Sequence, residues 1–273
     1  MNLSLANQFT DNLALKEKVA LITGSTSGIG LATAHLLAEQ GANIIIHGLV
    51  PISEGLELKQ QFEDKYGVKV MFSDANIAES EQIDLMMLNI KNTFKQLDIV
   101  VNNAGIQYTE TIENFPRDKW NAIIAINLSA AFHIMQQALP LMKERKWGRV
   151  INVASVHGLV GSAKKSAYVA AKHGLVGLTK VAAIEEAANG VTINAICPGW
   201  VETPLINNQI AELAKQQGTN ITEAKHQLIT NKQPLPAMAT PEQIGNLILF
   251  LCTDTARSIT GASLPIDGAW TSQ

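Results

Sequence analysis

The chain has 273 residues, of which 47% are hydrophobic and 16% are charged, and its formal net charge is −3. This balance, without a basic run, disfavours a nucleic-acid partner, because binding to phosphates requires clustered lysine and arginine. The longest apolar runs, such as 247–252, are much shorter than the roughly 20 residues that span a bilayer, so we expect no membrane insertion. The N-terminus lacks the pattern of a secretory signal, so the expected location is the cytoplasm.

Short apolar runs alternate with longer helical patterns along the chain. Strands are predicted at 18–23, 43–47, 68–72, 98–101, 149–153, 191–196 and 262–266. Helices are predicted at 29–41, 54–66, 79–94, 118–143, 166–188 and 241–251. Strands that alternate with helices pair in parallel through right-handed crossovers. The pattern therefore predicts a single-domain, doubly wound α/β fold, with a seven-stranded parallel sheet and helices on both faces.

Two segments depart from this alternation. Residues 1–15 are a polar lead that we predict to be flexible, and 16–273 form the domain, because no linker-like composition divides them. The stretch 201–236 is polar, rich in glutamine and helical. It follows the carboxyl end of a strand, where doubly wound sheets bind ligands. We therefore predict that 201–236 is a small helical lid over a substrate site.

A glycine-rich turn joins the first strand to the first helix. Glycines at positions 24, 28 and 30 allow a tight turn and a close approach of backbone to phosphate, and the helix start supplies free N–H groups. A plain tight turn is the alternative. The position at the start of a strand–helix–strand unit favours dinucleotide binding.

Tyr168 and Lys172 lie four residues apart in a predicted helix and so share one face. An ammonium close to a phenol lowers its pKa, which would make Tyr168 a usable base. Ser155, just after the fifth strand, offers a hydroxyl that could hold the reacting oxygen. Asn127 taken alone also fits a satisfied core asparagine. No metal is predicted, because Cys197 and Cys252 lack the spacing of metal ligands.

Together these motifs resemble the short-chain dehydrogenase/reductase family. They are TGxxxGIG at 23–30, NNAG at 102–105, Asn127, Ser155, the Tyr168 and Lys172 pair, and Pro198-Gly199 before Thr203. The resemblance covers 16–273 and implies a Rossmann fold and a homotetramer. It implies that Tyr168 exchanges the proton, Ser155 holds the substrate oxygen, Lys172 binds the nicotinamide ribose and lowers the Tyr168 pKa, and Asn127 supports a proton relay. The cofactor-binding residues that it implies are Gly24, Thr26, Ser27, Gly28, Ile29, Gly30, Asp74, Asn103, Ala104, Gly105, Tyr168, Lys172, Pro198, Gly199, Val201 and Thr203.

Within that family the chain is most similar to the bacterial D-3-hydroxybutyrate dehydrogenases. The resemblance implies reversible oxidation of (R)-3-hydroxybutyrate to acetoacetate, a reaction of ketone body metabolism. Amides, an imidazole and an ammonium are suitable donors for a carboxylate, and indoles would confine a small pocket. The implied substrate-binding residues are Gln107, Ser155, His157, Lys165, Tyr168, Trp200, Gln209 and Trp270.

The residue types at the end of the second strand indicate whether the cofactor is NAD or NADP. An acid there binds the ribose of NAD, and a basic residue nearby accepts the 2′-phosphate of NADP. Residues 46–49 contain no acid, but no lysine or arginine lies between Gly24 and Val50. We therefore predict NAD, with Asp74 near the adenine.

Two other functions remain open. One is a related enzyme such as an NADPH-dependent 3-oxoacyl thioester reductase, which would need an open cleft and a basic docking surface. The other is a non-catalytic protein that senses a dinucleotide. The set of Asn127, Ser155, Tyr168 and Lys172 disfavours the second function, because a sensor needs no base.

Overall fold

The computed structural model describes residues 13–272, and its centre is one parallel sheet of seven strands. The strands are β1 (Val19–Ile22), β2 (Asn43–His47), β3 (Val70–Ser73), β4 (Ile99–Asn102), β5 (Gly148–Val153), β6 (Val191–Pro198) and β7 (Ser263–Ile266). Their order across the sheet is β3-β2-β1-β4-β5-β6-β7. The chain reverses its direction of winding between β1 and β4, so the loops after these two strands open a crevice.

Nine α-helices accompany the sheet within the described residues. They are α1 (Gly28–Glu39), α2 (Ile52–Tyr66), α3 (Ser80–Phe94), α4 (Arg117–Ile124), α5 (Ala130–Glu144), α6 (Ser166–Glu186), α7 (Pro204–Gln217), α8 (Ile221–Thr230) and α9 (Pro241–Cys252). The seven strands and the helical segments between them confirm the predicted doubly wound fold.

The sheet is covered by apolar side chains on both faces. Ala20 and Ile22 of β1 pack with residues of α1, α2 and α9, whereas Val19 and Leu21 pack with residues of α3, α5 and α6. Successive side chains of a strand point to opposite faces, so an unbroken apolar run supplies both layers. This explains why the strands lack an alternating polar pattern.

One helical stretch, Arg117–Glu144, is long and apolar enough to cross a membrane by length and composition alone. It consists of α4 and α5 joined by a π-helical turn, Ala125–Ser129. Its side chains Ile123, Ile134 and Met142 are buried inside the protein. A helix with an apolar face that packs in the core passes the same test, so this stretch is weak evidence for membrane insertion.

The predicted lead 1–15 lies mostly outside the described residues. Leu15 is fully buried, and its backbone N–H donates to the carbonyl of Gln40 at 3.0 Å, so the packed region includes Leu15.

The predicted lid corresponds to α7 and α8. These helices form their own apolar cluster with Trp200, which includes Ile210 and Ile229. At the base of the segment Val201 pairs with Ala239, so the two ends of the segment are held together.

Gly30 is the point at which α1 comes closest to the turn before it. A Cβ built on Gly30 would lie 2.2 Å from the carbonyl oxygen of Gly24 and 2.6 Å from Asn103 Nδ2. Both atoms belong to a tightly bonded loop, so neither can move away freely. The motif therefore requires glycine at position 30 because there is no space for a side chain.

Gly30→Ala should lower the free energy of unfolding by about 1–3 kcal/mol, because the added methyl group overpacks the turn. Gly177 of α6 is a matched control, since a Cβ there meets no atom within 4 Å. Gly177→Ala should stabilise the protein by up to about 1 kcal/mol, because alanine favours a helix interior. Urea unfolding of both variants measures this difference, and equal stability of Gly30→Ala and wild type would contradict it.

Candidate active site

A cleft of about 410 Å³ opens at the carboxyl ends of the central strands. The glycine-rich turn after β1 and the Asn103–Gly105 loop after β4 form one side, and Ser155 and Tyr168 lie at its inner end. Parallel neighbouring strands bring these distant segments to one edge. The cleft thus joins the predicted dinucleotide site to the predicted base.

The glycine-rich turn is held by hydrogen bonds to the loop after β4. Asn103 Nδ2 donates to the carbonyls of Thr23 and Gly24 at 2.9 and 3.1 Å. Thr23 Oγ1 in turn accepts from the backbone N–H groups of Asn103 and Ala104 at 2.9 and 3.0 Å. The Asn103 amide was predicted to bind the cofactor, but in the structure it stabilises the turn through these hydrogen bonds.

The turn has the shape that a pyrophosphate needs. Gly24 and Gly28 have φ values of 63° and 55°, which side chains rarely adopt. A Cβ on Gly24 would lie 3.0 Å from Ala104 Cα, and one on Gly28 would lie 3.4 Å from Thr203 Cγ2. The backbone is thus exposed in a narrow cradle at the start of α1. The residues present fit a nicotinamide dinucleotide.

Most of the predicted cofactor-binding residues line this cleft. They are Gly24, Thr26, Ser27, Gly28, Ile29, Asn103, Ala104, Gly105, Tyr168, Lys172, Pro198, Gly199, Val201 and Thr203. Gly30 is absent from the lining because it packs under the turn. Asp74 is exposed outside the cleft, and Asn76 and Ile77 from the same loop line it instead.

Tyr168, Lys172 and Ser155 come together as predicted. Lys172 is buried, its Nζ donates to the carbonyl of Val153 at 2.7 Å, and it lies 5.6 Å from the centre of the Tyr168 ring. Ser155 Oγ accepts from the backbone N–H of His157 at 3.1 Å, which fixes its position at the end of β5. The helix spacing thus places phenol and ammonium on one face of α6, with Lys172 buried and Tyr168 half-buried at the cleft.

The pKa directions differ from the sequence-based expectation. Burial raises the pKa of Tyr168, and the neighbouring Ser155 hydroxyl only partly opposes this rise. Burial lowers the pKa of Lys172 to about 8. The expected lowering of the Tyr168 pKa by Lys172 is therefore not found among the protein's own groups, because desolvation disfavours both charged forms.

Asn127 lies in the π-helical turn Ala125–Ser129 and is 2% exposed. Its amide accepts from the backbone N–H of Ile106 and donates to the Ile106 carbonyl, both at 2.9 Å. A cavity of about 10 Å³, roughly the size of one water molecule, is lined by Asn127, Lys172 and Asn102. Asn102 Oδ1 is buried without a hydrogen-bond partner. The cavity offers space for one water beside Asn127 and Lys172, and the relay role of Asn127 stays a prediction.

A second cavity, of about 770 Å³, lies beneath the α7–α8 segment. Six of the eight predicted substrate-binding residues line it, namely Gln107, His157, Lys165, Trp200, Gln209 and Trp270. The other two, Ser155 and Tyr168, line the first cleft, and Gln107 lines both. The structure therefore gathers the whole predicted set where the two cavities meet.

The second cavity combines aromatic walls with polar groups. The rings of Trp200 and Trp270 are 5.3 Å apart, and the His157 ring lies 5.5 Å from Trp270 and 5.9 Å from Tyr168. His157 Nε2 and Trp200 Nε1 are buried without hydrogen-bond partners. Buried polar atoms without partners are uncommon in proteins, and here both could serve a bound polar ligand.

Burial and positive charge act together on His157 and Lys165. Burial, followed by the charges of Lys165 and Lys232, lowers the pKa of His157 to about 4, so its ring is neutral near pH 7. Burial, followed by the charge of Lys232, also lowers the pKa of Lys165. An anion in this cavity would oppose both shifts.

Several lining residues were not among those predicted to bind cofactor or substrate, although residues 46–49 were used to predict the choice of cofactor. Leu49 and His47 lie at the end of β2, and Ile77 follows β3. Lys232, which follows α8, lines the second cavity. No motif marks these residues, but each lies beside a strand end or within the predicted lid, which is the signal that could have found them.

Among the described residues, no group of three or more histidine, cysteine or acidic side chains could hold a metal ion. Cys197 and Cys252 are buried and unpaired, and burial raises their pKa to about 11 and about 12. Both therefore behave as small apolar side chains.

Comparison with known proteins agrees with this geometry. The sequence profile of the short chain dehydrogenase family matches residues 18–214. The D-beta-hydroxybutyrate dehydrogenase of Cupriavidus necator is 50% identical over 95% of this chain and 100% of its own length. That of Rhizobium meliloti is 46% identical over 94% of this chain and 99% of its own.

A solved structure shows the same architecture. L-sorbose reductase from Gluconobacter frateurii, in complex with NADPH and L-sorbose, has a TM-score of 0.91 and 29% sequence identity and covers 96% of this chain and 99% of its own. The family match extends over most of this chain, and the relatives align along nearly their whole length. The chain therefore belongs to the short-chain dehydrogenase family.

Proposed function

We propose that this protein reversibly oxidises (R)-3-hydroxybutyrate to acetoacetate with NAD. The observation that carries the proposal is the meeting of two cavities at Gln107: one holds the base Tyr168, and the other holds donors for a carboxylate. A short hydroxy acid carries its alcohol and its carboxylate only a few bonds apart. Its alcohol could therefore reach Tyr168 in the first cleft while its carboxylate lies in the second cavity. The identity of 46–50% to two D-beta-hydroxybutyrate dehydrogenases supports the same substrate.

The protein's own groups transfer the proton and orient the substrate. Tyr168 as phenolate takes the proton of the alcohol, and Ser155, which faces it, holds the oxygen. When bound, the nicotinamide accepts the hydride. Lys172 would hold the cofactor's ribose, and Asn127 would connect the site to a proton relay. Fixed orientation of the reacting groups contributes most of the rate.

The carboxylate would bind to Gln107, His157, Lys165 and Gln209 in the second cavity. Lys165 Nζ lies 5.6 Å from the centre of the Trp200 ring, so its ammonium is held against an apolar wall. A neutral His157 can donate one N–H, and Lys165 supplies the charge. The indoles of Trp200 and Trp270 would form the apolar wall beside the substrate's alkyl group.

The end of β2 supports NAD over NADP. A Cβ on Gly48 would lie 2.6 Å from Thr26 Oγ1, so this position cannot carry a side chain unless Thr26 moves. The next residue, Leu49, is exposed and lines the cleft. Among the described residues that line the cleft, Lys172 is the sole lysine or arginine. A 2′-phosphate would therefore meet no cation at the end of β2.

The alternatives have less support. A 3-oxoacyl thioester reductase must admit a long carrier, whereas the indoles of Trp200 and Trp270 wall the second cavity. A non-catalytic sensor would not need Tyr168, Ser155 and Lys172 in one buried group. We also propose a cytoplasmic location and a homotetramer, both on the resemblance to the family.

Absorbance at the NADH band tests the proposed reaction. Purified protein should reduce NAD with the (R) enantiomer of 3-hydroxybutyrate and not with the (S) enantiomer, and NADP should support much less turnover. Tyr168→Phe should abolish nearly all activity while binding of NADH, followed by fluorescence, changes little. Equal rates with NADP, or an active Tyr168→Phe variant, would contradict the assignment.

Lys165→Gln should raise KM for 3-hydroxybutyrate about tenfold or more, because it removes a charged hydrogen bond to the carboxylate. KM for NAD should change little, since Lys165 lines the other cavity. Lys164→Gln is the matched control, because its exposed side chain lines neither cavity. Steady-state kinetics with each substrate varied in turn separate the two effects. A parallel rise in KM for NAD would indicate a general structural effect.

The rate of oxidation should fall as the pH drops below about 8. Oxidation requires that the Tyr168 and Lys172 pair has lost one proton; the pKa of Tyr168 is raised and that of Lys172 is lowered to about 8. We assign the midpoint to the pair and not to either residue, because Lys172 Nζ lies 5.6 Å from the centre of the Tyr168 ring. Profiles of kcat/KM against pH measure it. His173→Gln, a change at an exposed histidine of the same helix, should leave the midpoint unchanged. A flat profile between pH 6.5 and pH 9 would refute this prediction.

A further inference from the structure

His47, the last residue of β2, is almost fully covered, with 3% of its surface exposed. In many dinucleotide-binding folds a side chain at this strand end contacts the ribose. A ring so deeply buried offers little surface to a ligand. Its function must therefore lie in what it contacts within the protein.

The imidazole connects two loops that line the cleft. The backbone N–H of Gly24 donates to Nδ1 at 3.1 Å, and Nε2 lies 2.8 Å from the carbonyl oxygen of Ala75. The His47 backbone is also joined to the glycine-rich turn, since its N–H donates to Ser25 Oγ at 3.0 Å and its carbonyl accepts from the Ser25 N–H at 2.8 Å. The ring thus spans from the turn after β1 to the loop after β3.

These contacts fix the protonation state of the ring. Because the Gly24 N–H is a donor, Nδ1 must be unprotonated, and the ring proton therefore lies on Nε2 and is donated to Ala75. Burial lowers the pKa of His47, while the Ala75 carbonyl and the charge of Asp74 oppose this shift. Asp74 is the charged group that acts on the ring, and residues 23–30 of the turn carry none. Protonation of Nδ1 would place its N–H against the N–H of Gly24, and the hydrogen bond between these two atoms would be lost.

We propose that His47 is a positioning residue for the nicotinamide dinucleotide, because it sets the spacing between the glycine-rich turn and the loop of Ala75, Asn76 and Ile77. Asn76 and Ile77 line the cleft, as do Gly24 and Thr26 of the turn. A shift of either loop would therefore change the width of the cleft. This inference rests on the proposed use of a dinucleotide and is independent of the alcohol that is oxidised.

Two substitutions separate the two hydrogen bonds. In His47→Asn the side-chain oxygen takes the place of Nδ1 and can still accept from Gly24. In His47→Gln the amide nitrogen takes the place of Nε2 and can still donate to Ala75, but the Gly24 N–H loses its acceptor. Each variant breaks one of the two hydrogen bonds that join the loops, so the Kd for NADH, from fluorescence titration, should rise about tenfold for both His47→Gln and His47→Asn, as expected for one lost buried hydrogen bond.

The kinetic and thermal readouts distinguish positioning from general stability. At saturating NAD both variants should have kcat within about twofold of wild type, since His47 lies away from Tyr168. A lower Tm for either variant with an unchanged Kd for NADH would overturn the inference, because a linkage between the two loops needs both hydrogen bonds. If the wild-type protein bound no NADH, the proposed use of a nicotinamide dinucleotide would itself be refuted. Wild-type protein that binds NADH but leaves 3-hydroxybutyrate unreacted would refute only the proposed substrate.

Discussion

The hydrogen bonds between the loops after β1 and β4 determine the shape of the site. Four hydrogen bonds donated by Asn103 and Ala104 to Thr23 and Gly24 join the glycine-rich turn to the next loop along the sheet edge. Gly30 permits this contact, because any side chain there would displace the Gly24 carbonyl. The turn is therefore preorganised by the protein before any ligand binds. His47 extends the same bracing to the loop after β3.

Desolvation favours the neutral form of each of four titratable groups in the site. It raises the pKa of Tyr168 and lowers those of Lys172, His157 and Lys165, so each group is shifted toward its neutral form. A buried site of this kind makes each added charge costly unless a partner is present. A carboxylate in the second cavity would supply such a partner for Lys165. The same environment that makes the phenol a weak acid thus makes the cavity selective for an anion.

Much of the fold was predictable because it depends on local patterns. All seven strands were predicted within about two residues of their observed ends, since buried parallel strands are unbroken apolar runs bounded by turn residues. The long helix at 118–143 was predicted, but its π-helical turn at Ala125–Ser129 was not. That turn places the Asn127 amide against the backbone of Ile106, a contact that no local pattern reveals.

The sequence by itself determined the order of the elements and the family and supplied the candidate for the base, because these follow from periodicity and from motifs at fixed spacing. Only the tertiary structure decided which motif residues face the cleft. It placed Asp74 outside the cleft and gave Asn103 a bracing role. It also reversed the expected direction of the Tyr168 pKa and revealed the contacts of His47. These properties depend on burial and on contacts between segments far apart in the chain, and such contacts exist only once the sheet has brought its strand ends together.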